Sequence, residues 1–144
     1  MDINVYPTIK QGLKEHLESL EYVNSFRKRN KYDFVVGFEP SKPTYPFVKI
    51  REPRNVPVEG FSGRLETVAN LGYQVDIYAK TTDNHTKQDI ARNLMKLSND
   101  YLTCVGLRQV SHNEIENDGL NGDLYHIILM YNANYFEQRQ TILI

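Results

Sequence analysis

The sequence predicts an α+β domain: an antiparallel or mixed β-sheet with two helices packed on one face and a long protruding β-hairpin. Three observations predict it. Two stretches carry a helical apolar stripe, two others alternate in polarity along a strand period, and turn signals separate neighbouring strands. At 144 residues the chain is expected to be a single domain, 1–144.

The first helix falls between Pro7 and Tyr22, where Ile9, Leu13, Leu17 and Leu20 line one stripe and Pro7 suits the opening turn. Arg27, Lys28, Arg29 and Lys31 follow as a basic cluster, and Phe34 to Phe38 reads as a short strand ended by a Pro-rich turn. From Leu65 to Ala79 the odd positions Leu65, Thr67, Ala69, Leu71, Tyr73, Val75, Ile77 and Ala79 are apolar or neutral. Arg64, Glu66, Asn70, Gln74 and Asp76 stand between them. Val48, Ile50, Val56 and Val58 share one parity in the preceding run, with Gly60-Phe61-Ser62-Gly63 as the tip of a hairpin. Pro53 and Pro57 cannot donate to a ladder, so the outer first strand is expected at an edge or to be irregular.

A second helix is expected from a cap at Asp83 or Asn84 to about Thr103, with Ile90, Leu94, Leu97 and Tyr101 on its stripe. Val105 to Ile115 reads as a strand, Asn117-Asp118-Gly119 and Asn121-Gly122-Asp123 as the turn, and Leu124 to Phe136 as the strongest strand. Its Tyr125, Ile127, Leu129, Tyr131, Ala133 and Tyr135 share a face. A strand of about 16 residues spans roughly 53 Å, whereas a helix of about 19 residues covers only about 28 Å. The outer hairpin, about residues 51–66, is therefore expected to overhang the core as an assembly arm.

Composition narrows the function classes. With 17 basic and 18 acidic residues the net charge is −1, so no global field draws the chain to nucleic acid or to an anionic membrane. One cysteine, Cys104, excludes an intrachain disulfide and a cysteine-rich zinc site, and its apolar neighbours predict a buried thiol. No apolar run is long enough to span a membrane and the start of the chain has no signal-peptide pattern, so synthesis in the cytoplasm is expected. Counted without Tyr but with Gly, apolar residues make up about 39%, below the usual share of roughly 45–50%. The 10 tyrosines fill part of that deficit with amphipathic surface. A thin aliphatic core rich in Tyr fits a subunit.

No GxGxxG, P-loop, HExxH, GxSxG or CxxC pattern occurs. His112 and His126, on strands expected to pair, could join Glu114 or Asp76 as a metal or acid–base cluster, but the spacing matches no motif and sheet-face roles account for them. Glu114, Glu116 and Asp118 with Asp123 could face a cation, yet a charged edge that resists strand pairing explains them equally. The Arg27 to Lys31 cluster could contact phosphates, or complement a helix end. No catalytic residue, cofactor or metal is expected.

The order of elements resembles the tail terminator, or tail completion, proteins of long-tailed bacteriophages and their prophage relatives. The parts that carry the likeness are the N-terminal amphipathic helix, the strand Tyr45-Pro46-Phe47-Val48-Lys49-Ile50, and a long loop or hairpin. Gly72-Tyr73-Gln74-Val75-Asp76-Ile77-Tyr78-Ala79-Lys80 then runs into the capped helix, ahead of a short and a long final strand. The resemblance spans nearly the whole chain and is one of layout. It implies a non-enzymatic virion protein at the head–tail junction, a homo-oligomeric ring of six that caps the tail tube protein and meets the head connector protein. Head–tail joining and minor capsid roles are neighbouring alternatives; a small hydrolase or nucleic-acid-binding module is the alternative of another class. Subunit contacts are expected at Val56, Val58, Phe61 and Leu65 of the arm and at the apolar Ile142, Leu143 and Ile144.

Overall fold

The computed structural model describes residues 6–20, 45–57, 68–81, 86–118, 122–136 and 141–143. Helix α1 (Tyr6–Glu18) is followed by strands β1 (Phe47–Pro57) and β2 (Val68–Ala79), helix α2 (Lys87–Cys104), and strands β3 (Arg108–Asp118), β4 (Leu124–Phe136) and β5 (Thr141–Leu143). The sheet is antiparallel in the order β1-β2-β4-β3, and β5 adds to the end of β4. Because β2 pairs with β4 along its whole length, from Val68↔Phe136 to Ala79↔Tyr125, β5 must share the side of β4 that β3 occupies.

The alternation expected from the sequence is the sheet's two-sidedness. Ala69, Leu71, Tyr73, Val75, Ile77 and Ala79 of β2 and Tyr125, Ile127, Leu129, Tyr131 and Ala133 of β4 are buried, and they share one core with both helices. Into it α1 turns Ile9, Leu13 and Leu17, and α2 turns Ile90, Ala91, Leu94 and Leu102. The helices meet where Gly12 of α1 faces Tyr101 of α2, and a Cβ at Gly12 would collide with the Tyr101 hydroxyl. His16 stacks on the same ring at 5.3 Å between centroids.

Local chemistry ends α2 at both sides. Thr86 caps it by accepting a hydrogen bond from the Asp89 amide at 3.3 Å, with the Asp89 carboxylate in the first turn. The expected cap residues Asp83 and Asn84 lie outside the described residues. At the other end Gly106 takes a positive φ of 102°, and the Val105, Gly106 and Leu107 amides bond back to Tyr101, Thr103 and Leu102 carbonyls. This closure sends Leu102 and Leu107 into the core and leaves Cys104 exposed, so the expected buried thiol is corrected. It also moves the start of β3 from Val105 to Arg108.

A second correction concerns β1. Arg51 pairs with Gln74 and Arg54 with Gly72, so Glu52 and Pro53 together oppose Tyr73 in a β-bulge. Pro53, which has no N–H to give, sits in the irregularity expected of it. The extra residue inverts the parity beyond it: Val48 and Ile50 are buried, whereas Val56 turns to the other face and is 48% exposed. The part of the expected arm that is described, Arg51–Pro57, is a strand of the sheet paired with β2. Helix α1 packs beside α2 and against β1, where the Tyr6 hydroxyl donates to the Ile50 carbonyl at 2.5 Å. The tip with Val58, Phe61 and Leu65, the short strand expected at Phe34 to Phe38, and the Arg27 to Lys31 cluster lie outside the described residues.

Two substitutions separate core from surface. Leu94→Ala should cost about 2–5 kcal/mol, and Val56→Ala should stay within about 0.5 kcal/mol of the parent in urea denaturation. Gly12→Ala should cost about 1–3 kcal/mol by overpacking, and Tyr101→Phe in that background should recover part of the loss by removing the atom that collides.

Candidate functional site

Both described helices lie against one face of the sheet; on the other, which no helix covers among the described residues and which is called the helix-free face, the registers order the side chains into cross-strand rows. Phe47, Tyr78, His126 and Ile115 form the first row; Lys49, Asp76, Ile128 and Asn113 the second; Arg51, Gln74, Met130 and Ser111 the third. Arg54, Gly72, Asn132 and Arg108 make the fourth, and Val56, Asn70 and Asn134 the fifth, with Leu143 of β5 paired beyond Asn134. This face has two chemically different ends.

At the first end Phe47, Tyr78 and His126 stack in sequence, with 6.0 Å and then 4.1 Å between ring centroids. His126, 8% exposed, meets a carboxylate at each ring nitrogen: Nε2 lies 2.9 Å from Asp76 Oδ1 and Nδ1 2.9 Å from Asp118 Oδ2. Asp118 reaches it because β3 bulges at Glu116 and Asn117, where Asn117 has a φ of 56°. Asp76, 4% exposed, also accepts from the Gln74 amide at 3.1 and 3.2 Å. A neutral imidazole has one N–H, so both bonds to His126 form together only when the three groups share one further proton. With both nitrogens engaged, His126 has no free ring atom to take a proton from a substrate.

At the second end the charge is cationic. Arg54 donates to Asn132 Oδ1 at 2.5 Å and Arg51 to Gln74 Oε1 at 2.7 Å, while Asn70 Nδ2 donates to Asn134 Oδ1 at 3.1 Å. Gly72 makes the first of these possible. A Cβ there would meet Arg54 Cβ at 3.1 Å and Nε at 3.4 Å, so the guanidinium lies across the space a side chain would fill. A cavity of about 110 Å³ opens beside Asn132 and is lined by Asn70, Arg108, Val110, Ala133 and Asn134.

The acid–base grouping expected of His112, His126, Glu114 and Asp76 is divided by the sheet. Asp76 and His126 meet on the helix-free face, whereas His112 and Glu114 point to the helix side. There Glu114 Oε1 accepts from the Tyr125 hydroxyl at 2.6 Å and from Arg92 of α2 at 2.9 Å, and Oε2 lies 3.3 Å from His112 Nε2. The Tyr125 hydrogen bond holds the Glu114 carboxyl below the usual carboxylate range; burial opposes this, and Arg92 and His112 reinforce it. The acidic set Glu114, Glu116, Asp118 and Asp123 is divided as well, because the bulge breaks its parity: Asp118 turns to His126, and Asp123 lies 3.3 Å from Lys80. Among the described residues no group of three or more His, Cys, Asp or Glu could hold a metal ion.

Of the residues expected at a subunit contact, Val56 is exposed on the helix-free face, and Ile142 and Leu143 lie in β5, where their backbones pair with Tyr135 and Asn134. Val58, Phe61, Leu65 and Ile144 lie outside the described residues. Sequence reasoning missed Ile115, 41% exposed, and the cationic end as a unit. The signal for the latter was the non-core parity of Asn70, Gly72, Asn132 and Asn134; Arg54 escaped it because the bulge moves it onto that face.

No protein-family model matches the chain, and no curated protein matches it either. None of the described helices is long and apolar enough to cross a membrane.

Removing the His126 ring strands a buried carboxylate. His126→Ala should lower stability by about 3 kcal/mol or more, with part recovered by adding Asp76→Asn; His112→Ala, on the edge strand, should cost less than about 1 kcal/mol in the same denaturation series. Glu114, whose folded-state pKa is depressed, stabilises the protein above its unfolded-state pKa, and that contribution disappears as pH falls through the folded value. The stability gap between the parent and Glu114→Gln should therefore be open at neutral pH and close in acid.

Proposed function

We propose that this chain is a virion assembly protein of a long-tailed bacteriophage or prophage, a tail terminator. Its copies would form a ring, of six by the family resemblance, that caps the tail tube protein and joins it to the head connector protein at the head–tail junction. The observation that carries this reading is a sheet with both helices on one face and, among the described residues, no helix on the other, where Val56 and Ile115 are exposed at opposite edges. The order of elements around that sheet agrees with the family layout in its described parts: helix, antiparallel pair, capped helix, antiparallel pair.

The geometry supports a ring in a specific way. Edges β1 and β3 run antiparallel to each other on opposite sides of the sheet and carry different side chains, so contact of one edge with the other on the next copy is heterologous. Heterologous contacts close into rings when the rotation between copies permits. A terminator needs that closure, and it needs a tube-facing and a head-facing surface that differ from each other. His126, engaged at both ring nitrogens, favours a binding role over a hydrolytic one.

The test is assembly. Electron microscopy of the purified protein with its tube protein should show rings at tube ends. Disrupting the gene in an inducible prophage should leave filled heads without tails, together with tails of abnormal length. Uniform tails attached to heads in that strain would overturn the reading.

A further inference from the structure

The cationic end of the helix-free face has the makings of a binding site that the assembly reading does not use. Its cavity lies at a notch in the sheet edge: β3 starts opposite Asn132 at Arg108, β5 stops opposite Asn134 at Leu143, and Ala133 between them also lines the cavity. At about 110 Å³ it has room for several water-sized groups. The polar atoms around it have fixed orientations. Asn132 accepts from Arg54 through Oδ1 and Asn134 accepts from Asn70 through Oδ1, so both carboxamides have their Nδ2 donors left over. Neither Nδ2 has a hydrogen-bond partner among the described residues.

Arg108, also lining the cavity, makes no ion pair or side-chain hydrogen bond among the described residues. A guanidinium and two carboxamide N–H groups around one cavity are a donor-rich set, and none of the residues that line it carries a carboxylate. The third, fourth and fifth rows of the face contain Arg51, Arg54 and Arg108 and no carboxylate. Among the described residues the nearest acid on this face, Asp76 in the second row, is buried and held by His126 and Gln74. Asn70 also lines the cavity, and with its Nδ2 given to Asn134 its Oδ1 is an acceptor suited to the hydroxyl of a partly protonated oxyanion.

We propose that the Arg108–Asn132–Asn134 notch is an oxyanion site that takes a phosphate group. Arg108 supplies the charge and a forked pair of donors. Asn132 and Asn134 supply directed N–H groups, and Arg54 is a positioning residue that sets the Asn132 amide while adding positive potential. The ligand enters from the helix-free face, and the described helices on the far side of the sheet take no part.

The experiment is a titration of the full chain with inorganic phosphate at constant ionic strength, read from the side-chain amide resonances of Asn132 and Asn134. Saturable shifts in both are expected. Arg108→Gln, at an exposed position, should weaken binding by about tenfold or more, while Lys96→Gln on the outer side of α2 should leave it unchanged. Arg54→Gln should weaken binding and also alter the Asn132 amide resonance before any phosphate is added, which loss of charge alone would not do. A parallel titration with acetate separates the two oxyanion chemistries: weaker saturation than with phosphate supports the assignment, and tighter saturation overturns it. Equal shifts with chloride, absence of saturation, or unchanged affinity in Arg108→Gln would also overturn it. None of these readouts depends on tail assembly, so the site and the terminator reading stand or fall separately.

Discussion

The pairing of β2 with β4 is the constraint on which the rest of the structure depends. Twelve consecutive residue pairs join the two strands without a register shift, so a single parity decides which side chains face the helices along the entire centre of the sheet. Slippage of β4 by one residue against β2 would put His126 into the core and Ile127 outside it. The helices need no specific contact to find their side, because only one face offers a continuous apolar surface. The edges β1 and β3 are then free to be irregular, since the centre already holds the register.

That freedom is where functional chemistry collects. Each edge strand is interrupted by bulges, and each bulge re-aims a side chain that simple alternation would have sent elsewhere. On β1 the Glu52–Pro53 bulge carries Arg54 and Val56 to the helix-free face. On β3 the irregularity at Glu116 and Asn117 brings Asp118 back to His126. Site residues on bulged edges also explain why β3 has no fully buried residue: its side chains serve neighbours and solvent.

The regular parts of this architecture were legible in the sequence. The stripe of Ile9, Leu13 and Leu17, the odd parity of β2 and β4, and the full extent of Leu124–Phe136 all follow from periodicity, and they have the same meaning in the structure. Illegible were the features that depend on a single inserted residue or on a choice among polar caps. A bulge leaves no periodic trace, so in the sequence Val56 simply continues the alternation of Val48 and Ile50. The cap was expected at Asp83 or Asn84 whereas Thr86 supplies it, and Cys104 looked apolar by its neighbours when the helix phase had already committed Leu102 inward. The candidate site was half visible: Asp76 and His126 were grouped, but placing His112 and Glu114 needed the β3–β4 register, in which Ile115 and not Glu114 lies opposite His126.

The two ends of the helix-free face have a consequence for how anything approaches it. Asp76, Asp118 and the His126 imidazole mark one end and Arg54 and Arg108 the other, some four to eight residues apart along the strands, or about 14–27 Å, with Arg51 between them. That separation exceeds the screening length of roughly 8 Å at physiological ionic strength, so an incoming molecule senses each end on its own rather than their sum. The near-zero net charge of the chain thus conceals a face with direction: a neighbour carrying both signs would be turned as it arrives, and would meet the sheet in one sense along the strands in preference to the reverse.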